Sequence, residues 1–339
     1  MMKLYDVTII GGGPVGLYTA FYCGMREMKT KIIEYLPYLG GKVSYFYPEK
    51  VIGDIGGIPA ITGEKLIKQL EDQARTFNPS IVVNQQVMEI ERLADRTFLL
   101  TSHNGEKHHT KTIILATGFG TIKNSKLDLE HAEKYEGTYL FDTVENFKHF
   151  ENRRVLIFGG GNSAVDWANR LLPIAKQVTI VHRRNEFTGI ERNIANLKNS
   201  KAVILTPYIL DALHGEEALE SVLVKHINTT ETIEIEVDAV LLNHGFSIDL
   251  GGIKQWGFEF ENGSIKVDST MQTNMEGIFA VGDIAGYINK LHLITGGFFE
   301  GPTAVNSAKA YIEPNKKLKP IFSTTHSKLQ QIRKTGITD

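Results

Sequence analysis

The sequence predicts an α/β protein made of two Rossmann-like, three-layer dinucleotide-binding domains. Short runs rich in Val and Ile alternate with helical stretches, a pattern typical of parallel sheets covered by helices. The order strand, glycine turn, helix, strand occurs twice, first in "VTIIGGGPVGLYTA" and again in "VLIFGGGNSAVDWA". The 339 residues are enough for two domains with separate cores.

The elements of the first domain follow in chain order. The runs "VTIIG" and "KIIEY" flank the first helix, and "KTIILATG" returns to a buried strand. Between them, "SIVVN", "EIERL" and "TFLLTSHNG" are predicted to form an inserted antiparallel meander. The second domain repeats this plan with "VLIFG", "VTIVH", "AVILTPYIL", "SVLVKHI" and "IEIEVDAVLLNHG".

The last part of the chain has no third glycine turn, but "GIFAVGDI" predicts one more buried strand that ends at a pocket. The simplest account is that the second domain, residues 118–246, is an insertion into the first. The first domain then comprises residues 1–117 and 247–339. The polar run "EPNKKLKP" predicts a C-terminal extension from about residue 314 that leads to a mobile end.

Composition and charge exclude several classes of protein. The chain is 42% hydrophobic and 22% charged, which describes a globular protein rather than a disordered or membrane protein. A formal net charge of -2 gives no overall attraction to nucleic acid or anionic lipid. The apolar run at the amino terminus is too short for a signal peptide or a membrane span. We therefore expect a cytoplasmic protein with neither a nucleic-acid partner nor a membrane partner.

The chain contains a single cysteine, Cys23. One thiol excludes an internal disulfide, a CxxC redox pair and a zinc site built on several thiolates, and we expect no metal site. Cys23 lies in a predicted helix, where an inert packing role is expected.

The first glycine turn has the spacing GxGxxG at Gly11, Gly13 and Gly16. Gly11 allows the tight turn, Gly13 lets a pyrophosphate approach the backbone, and Gly16 permits close helix packing. The helix that starts at Pro14 and Val15 supplies free amides for the phosphates. Glu34, at the end of the next strand, is placed to accept hydrogen bonds from the adenosine ribose.

The second turn is a GxGxxA motif formed by Gly159, Gly161 and Ala164, with Asn162 and Ser163 at the start of its helix. The position that corresponds to Glu34 is His182, and Arg183 and Arg184 follow it. Guanidinium groups bind a ribose 2′-phosphate, whereas a carboxylate repels it. The cluster therefore favours NADPH over NADH at this site, the alternative being a solvated strand end.

The two sites together indicate the chemistry. Two nicotinamides have little to exchange, whereas a flavin accepts a hydride and releases single electrons. We therefore expect FAD in the first domain and NADPH in the second.

Six motifs, in this order, resemble those of the bacterial ferredoxin–NADP⁺ reductases of the thioredoxin-reductase-like type: "GGGPVGLYTAFYCGMR", "YPEK", "GGGNSAVDWA", "VHRR", "GIFAVGDI" and "GPTAVNSAKAYI". The resemblance covers residues 5 to about 325. It implies a homodimer with FAD- and NADPH-binding domains that passes electrons from NADPH to ferredoxin or flavodoxin. Thioredoxin reductases share the architecture but need a dithiol, which a chain with one cysteine does not have.

The resemblance also implies roles for individual residues. Glu34 binds the FAD ribose, Asp283 bonds the ribityl-pyrophosphate region, and Tyr47 stacks on the isoalloxazine ring. Val87 and Ile122 line the adenine or flavin pocket, and Thr324 lies beside the flavin. Phe322 takes the place of the aromatic residue, commonly His or Tyr, that covers the other flavin face.

Two positions depart from the resemblance. Lys42 replaces a frequent Gln after "LGG", where a cation either raises the flavin potential or points outward. Phe299 stands where Gly is frequent. These departures concern the tuning of the flavin and leave the class of enzyme unchanged.

The expected catalysis is mainly positioning of the nicotinamide against the flavin, without a catalytic acid, base or nucleophile. The acceptor is expected to be acidic, since residues 314–339 carry six basic side chains against Asp339 alone, namely Lys316, Lys317, Lys319, Lys328, Arg333 and Lys334. The alternatives are a solubilising tail and, for the whole protein, a flavin-dependent NADPH monooxygenase, another NADPH diaphorase or a nucleotide-sensing regulator.

Overall fold

The chain divides into two compact units in a computed structural model that describes residues 2–124, 127, 129–142, 144, 146–243 and 246–336. Unit 1 comprises Met1–Thr121 and Ile248–Asp339, and unit 2 comprises Ile122–Ser247. The first predicted crossing, near residue 117, lies just before this division, because the chain continues into a strand that begins at Thr121.

The strands and helices are as follows. The strands are β1 (Leu4–Ile10), β2 (Thr30–Ile33), β3 (Val51–Ile52), β4 (Ile61–Thr62), β5 (Ser80–Val82), β6 (Val87–Arg92), β7 (Phe98–Ser102), β8 (Lys107–Leu115), β9 (Thr121–Asn124), β10 (Leu140–Phe141), β11 (Arg154–Phe158), β12 (Gln177–Val181), β13 (Val203–Leu205), β14 (Tyr208–His214), β15 (Ser221–His226), β16 (Thr232–Glu236), β17 (Ala239–Leu242), β18 (Phe246–Asp249), β19 (Phe260–Glu261), β20 (Ser264–Lys266), β21 (Ile278–Ala280) and β22 (Ala285–Gly286). The α-helices are α1 (Pro14–Met25), α2 (Gly41–Phe46), α3 (Gly63–Arg75), α4 (Ala132–Tyr135), α5 (Asn162–Leu171), α6 (Glu191–Lys198), α7 (Ile294–Ile312) and α8 (Ser327–Gly336). Short 3-10 helices span Phe147–Phe150, Gly251–Gln255 and Gly282–Ile284.

Unit 1 is built on parallel strands in the order β5-β2-β1-β8, with β21 pairing on the far side of β8. The amino-terminal half of β8 also pairs with the antiparallel strand β7, which in turn pairs with β6. Helix α1 packs between α3 and α7. Because β1 and β8 are covered on both faces, their side chains form nearly continuous apolar runs, in which Val7, Ile9 and Ile114 are fully buried.

Unit 2 repeats this plan with the parallel order β10-β17-β11-β12-β13 and a separate antiparallel sheet of β14, β15 and β16. Alternate residues of β11 face opposite layers. Ile157 packs in the cluster that contains Trp167 of α5, and Leu156 packs in the cluster that contains Val222 of β15. This alternation gives the predicted three layers of helix, parallel sheet and antiparallel sheet.

Two predictions about individual segments are wrong. The run "SIVVN" is not part of a meander, because β5 pairs in parallel with β2 at the edge of the main sheet. The chain end is not merely a mobile tail, because α8 forms and its Leu329 is buried against Phe21 and Met25 of α1. The hydrogen bond from the Arg26 guanidinium to the carbonyl of Lys319, 2.9 Å long, also holds this extension.

Candidate nucleotide-binding sites

Two glycines of the first turn are required by the chain itself. Gly11 has φ +110°, and a Cβ there would lie 2.3 Å from the carbonyl oxygen of Ala116. A Cβ at Gly16 would lie 2.0 Å from the carbonyl oxygen of Gly11. These two positions therefore allow β1, the turn and α1 to pack closely.

Gly13 differs from Gly11 and Gly16, because the protein does not require a glycine there. Its backbone is extended, with φ -71° and ψ -177°, a conformation that any residue adopts. The nearest heavy atom to a Cβ at Gly13 is the Cα of Gly41, 3.9 Å away. The open space above the turn, next to the amino terminus of α1, fits a pyrophosphate that approaches the backbone.

The first two residues of α1 contribute differently to this space. Pro14 occupies the first turn of the helix, where its missing N–H costs nothing. The side chain of Val15 is taken up by packing, since a Cβ at Gly297 of α7 would lie 2.2 Å from its Cγ2 atom. Only the backbone of Val15 remains for a phosphate.

Glu34 follows β2 and lies beneath the turn with 3% of its surface exposed. Its carboxylate accepts a hydrogen bond of 2.6 Å from the Gly12 N–H and one of 2.9 Å from the Leu36 N–H. Burial raises the pKa of Glu34 above its ordinary value, although these N–H donors favour the charged form. The remaining lone pairs of the carboxylate are available to ribose hydroxyls.

A second glycine pair, Gly40 and Gly41, packs against the first turn and was not predicted as part of the site. The Gly40 N–H donates a 2.8 Å hydrogen bond to the carbonyl of Gly12. A Cβ at Gly41 would lie 3.1 Å from the Cα of Gly13. The repeated glycines in "LGGK", six residues after Glu34, are the sequence signal for this contact.

The short helix α2 starts at this contact and carries two predicted residues, Lys42 near its start and Tyr47 at its end. The ammonium of Lys42 lies 3.4 Å from Oδ2 of Asp283 and 3.5 Å from the centre of the Phe119 ring. Burial lowers the pKa of Lys42, and the Asp283 carboxylate opposes this shift. Burial, followed by the charge of Asp283, raises the pKa of Tyr47. The fold thus brings Lys42, Tyr47 and Asp283 together from opposite ends of the chain.

A buried ionic network holds the turn at Asp283. Glu300 of α7 is fully buried and accepts hydrogen bonds from the Gly282 N–H, at 2.6 Å, and from the Tyr287 hydroxyl, at 2.7 Å. Lys290 pairs with Glu300 and donates a 3.0 Å hydrogen bond to the Gly282 carbonyl. Burial and the bond to Glu300 raise the pKa of Tyr287. Sequence reasoning missed this network, although a glutamate within the apolar stretch "ITGGFFEGPTAV" is a recognisable signal.

Val87 and Ile122 are the two other residues predicted to line the adenine or flavin pocket. Val87 is a buried core residue, two positions after Gln85, whose N–H donates to the Glu34 carbonyl. The side chain of Ile122 lies outside the described part of the structure.

Phe322 and Thr324 lie in the extension that packs against the carboxyl end of α1. They precede His326, whose ring nitrogen Nε2 lies 3.0 Å from the carbonyl oxygen of Met25 at the carboxyl end of α1. The glycine turn is at the other end of this helix, whose 12 residues span about 18 Å. The Phe322 side chain is 62% exposed. That Phe322 covers the second flavin face stays a prediction.

The glycine turn of unit 2 repeats the division of roles. Gly159 has φ +152°, and a Cβ there would lie 2.2 Å from the carbonyl oxygen of Asn243. A Cβ at Gly161 would meet no heavy atom of the described residues within 4 Å. Ala164 is buried at the position that corresponds to Gly16. Here too, the first glycine serves the fold and the second leaves room for a ligand.

His182 lies beneath this turn, with 8% of its surface exposed. A Cβ at Gly160 would lie 2.3 Å from its ring, which stacks on Phe187 at 5.6 Å between ring centres. Burial lowers the pKa of His182, and Arg184 and Arg183 add to this shift. The imidazole is therefore neutral at pH 7, so the predicted cationic cluster consists of the two exposed arginines.

The start of α5 is joined to the segment that follows the arginines. The side-chain oxygen of Asn162 accepts a 2.8 Å hydrogen bond from the Ile190 N–H, and Ser163 is exposed. Thr188, which was not predicted, donates its N–H to the Gly160 carbonyl at 2.8 Å. These bonds hold the segment that carries Arg183 and Arg184 beside the turn.

The described ranges were compared with the requirements of a metal site and of a membrane-spanning helix. No group of three or more His, Cys, Asp or Glu side chains there is arranged to hold a metal ion. No helix among the described residues combines the length and apolar character that a membrane crossing needs.

Comparison with known proteins agrees with this arrangement. Residues 5–308 match the family model of the pyridine nucleotide-disulphide oxidoreductases. Ferredoxin–NADP reductase 1 of Bacillus velezensis is 55% identical over 96% of this chain and 98% of its own length. Ferredoxin–NADP reductase 2 of Bacillus subtilis is 48% identical over 95% and 97%. Among solved structures, thioredoxin reductase of Lactococcus lactis superposes with a TM-score of 0.72 and 28% identity, over 91% of this chain and 99% of that one.

Proposed function

The chain belongs to the pyridine nucleotide-disulphide oxidoreductase family and, within it, to the ferredoxin–NADP reductases, and from this premise we propose that it is a flavoenzyme that passes electrons from NADPH through FAD to ferredoxin or flavodoxin. In the reaction, NADPH and two oxidised ferredoxins are converted to NADP⁺, a proton and two reduced ferredoxins.

The observation that carries this proposal is the pair of open glycine turns with different side chains at the ribose position. Gly13 and Gly161 each leave room for a pyrophosphate. Glu34 lies beneath the first turn, and Arg183 and Arg184 follow His182 beside the second. A carboxylate suits an unmodified ribose, and two guanidinium groups suit a 2′-phosphate.

In unit 1, the chain's own residues bind and orient FAD. Glu34 accepts hydrogen bonds from the adenosine ribose, and the amides at the start of α1 bind the pyrophosphate. Asp283 bonds the ribityl-pyrophosphate region, and Tyr47 packs on the isoalloxazine ring. The flavin supplies the redox chemistry, because it accepts a hydride and releases single electrons.

In unit 2, the residues around the second turn bind NADPH. The amides of Asn162 and Ser163 face the pyrophosphate, and Arg183 and Arg184 bind the 2′-phosphate. His182 packs beneath the turn and positions it. Holding the two rings in reacting geometry is the main contribution of the protein to catalysis.

A dithiol mechanism of the thioredoxin-reductase kind does not fit this chain. Cys23 is its only cysteine and is fully buried in α1. Burial raises the pKa of this thiol well above its ordinary value, so it remains a packing residue. Without a dithiol in the chain, a bound FAD would have to pass its electrons directly to a one-electron acceptor.

The acidic acceptor is proposed to dock on the basic C-terminal extension. Lys317, Lys319 and Lys328 are exposed, whereas Lys316 is paired with Glu313 at 3.0 Å. The side chains of Arg333 and Lys334 lie outside the described part of the structure. A cytoplasmic location, expected from the amino-terminal sequence, and a homodimer, expected from the resemblance, belong to the same proposal.

The test is a steady-state assay of the purified protein with NADPH or NADH and with ferredoxin, flavodoxin or oxygen as acceptor. We expect bound FAD, a preference for NADPH and fast reduction of ferredoxin or flavodoxin. Oxygen consumption coupled to an organic substrate would indicate a monooxygenase instead. Bound FAD without turnover of any acceptor would indicate a nucleotide sensor.

The docking proposal has its own test. Truncation after Thr325 removes Lys328 and the rest of α8, and it is expected to slow turnover with ferredoxin at low salt and to have less effect at high salt. Unchanged turnover at low salt would contradict docking on this extension.

A further inference from the structure

The ammonium of Lys42 is a fixed positive charge in the proposed flavin site. We propose that Lys42 sets the reduction potential of the bound flavin by favouring its reduced, anionic form over its oxidised form. This inference rests on the proposed function, because it concerns the same FAD site.

The position of Lys42 along the chain places it between two parts of that site. It follows Gly41, which contacts Gly13 of the pyrophosphate turn. It lies in the short helix α2, which ends immediately before Tyr47, the residue proposed to pack on the isoalloxazine ring. Lys42 is therefore carried on α2, the helix that connects the pyrophosphate turn to Tyr47.

The side chain of Lys42 is also held in place. Its Nζ atom lies 3.4 Å from Asp283, it covers the Phe119 ring, and only 25% of the side chain is exposed. The other carboxylate oxygen of Asp283 lies 3.4 Å from Nδ1 of His292. The neighbouring Gly282 is bonded to the buried Glu300, so the partner of Lys42 is itself fixed.

A fixed cation in a partly dehydrated site stabilises negative charge without reorganisation when that charge develops. Reduction of the flavin adds negative charge to the isoalloxazine ring. Loss of the Lys42 charge should therefore weaken the binding of the reduced form more than that of the oxidised form. The shift in potential is proportional to the logarithm of the change in the ratio of the two dissociation constants, so the potential and the two affinities measure the same difference independently.

The experiment compares the wild-type holoenzyme with Lys42→Gln, which removes the charge and keeps an unbranched polar side chain one atom shorter, and with Lys42→Arg, which keeps the charge. Lys68→Gln is the matched control, because it removes an exposed lysine of unit 1 that is paired with Asp72 on α3. The midpoint potential of bound FAD is measured spectroscopically against reference dyes. The dissociation constants of oxidised and reduced FAD are measured in parallel.

For Lys42→Gln we expect a roughly tenfold lower ratio of reduced to oxidised flavin at a given potential, equivalent to about 30 mV for a two-electron couple. Lys42→Arg should stay near the wild-type potential, and Lys68→Gln should not change it. Asp283→Asn removes a negative charge from the same pair and should shift the potential upward, which keeps the test informative if Lys42→Gln does not bind FAD.

An unchanged potential in Lys42→Gln, with equal weakening of both oxidation states, would overturn the inference and assign Lys42 to phosphate binding alone. That result would leave the proposed function intact. Failure of the wild-type protein to bind FAD would instead contradict the proposed function.

Discussion

The two glycine turns share one backbone plan and differ in the side chain beneath it. In unit 1, Gly11 donates its N–H to the last residue of β2 at 2.8 Å, and in unit 2 Gly159 does the same to β12 at 2.9 Å. The next carbonyl, of Gly12 or Gly160, accepts a 2.8 Å hydrogen bond from a following segment in each unit. The carboxylate of Glu34 then bonds the Gly12 N–H, whereas the ring of His182 packs against Gly160.

This difference indicates that the backbone of the turn binds a dinucleotide, whereas the side chains after the second strand select which dinucleotide is bound. The shared backbone serves any pyrophosphate, because it offers amides and open space. Selection comes from the end of the second strand, where one unit buries a carboxylate and the other buries a neutral ring and exposes two guanidinium groups. The experiments below test this separation, in order of decreasing expected effect.

Substituting Gly11 of the first turn should impair folding, whereas substituting Gly161 of the second turn should impair nucleotide binding. Gly11→Ala should lower the free energy of unfolding by about 3 kcal/mol, because it combines a positive φ with a backbone collision. Gly161→Ala should leave the unfolding free energy nearly unchanged and raise the KM for NADPH about tenfold by displacing the phosphates. Urea unfolding and steady-state kinetics measure the two effects. Equal destabilisation by both substitutions would contradict the distinction between glycines that the backbone packing requires and glycines that leave space for a ligand.

Removing the charges of Arg183 and Arg184 should abolish the preference for NADPH over NADH without abolishing nucleotide binding. The double variant Arg183→Ala, Arg184→Ala should lower the preference for NADPH over NADH by about 100-fold, since each charge-assisted bond contributes about 1.5–3 kcal/mol. The matched control is Arg192→Ala, an exposed arginine of α6. A large change in the KM for NADH would indicate that the arginines support the turn rather than the 2′-phosphate.

Neutralising Glu34 should weaken the binding of FAD and leave the binding of NADPH unchanged. Glu34→Gln places an amide N–H₂ against one of the two backbone N–H donors and should raise the FAD dissociation constant about tenfold. The KM for NADPH, measured with saturating FAD, should not change. Flavin fluorescence during titration of the apoprotein measures the effect, and an unaltered FAD affinity would remove Glu34 from the site.

The smallest effect is the pH dependence of stability that His182 produces. Its folded-state pKa is lowered from the ordinary value of 6.5, so the unfolded chain binds more protons between the two pKa values. The contribution of His182 to stability is present above pH 6.5 and is lost as the pH falls through the folded-state value. Unfolding curves from pH 8 to about pH 5 should therefore be less pH-dependent for His182→Asn than for the wild type. Identical slopes would mean that the ring is not buried in its neutral form.

The sequence by itself determined the features that depend on local spacing. The strand, glycine turn and helix of each unit follow from neighbouring residues, and a fixed strand length then places Glu34 and His182 at equivalent positions. The discontinuous organisation also followed, because "GIFAVGDI" has the apolar character of a central strand without a turn of its own. These are properties of short segments, for which backbone sterics and periodicity are sufficient.

Tertiary structure alone decided which distant segments come into contact and which charge state the buried side chains adopt. The contact between Lys42 and Asp283 spans 241 residues, and no local pattern indicates it. The ionic network of Glu300 and the docking of α8 on the carboxyl end of α1 depend equally on packing. The neutrality of His182 depends on burial, which a sequence pattern of adjacent basic residues does not report. Such features are decided by tertiary structure because desolvation and packing depend on every neighbour in space, whereas spacing depends only on neighbours in the chain.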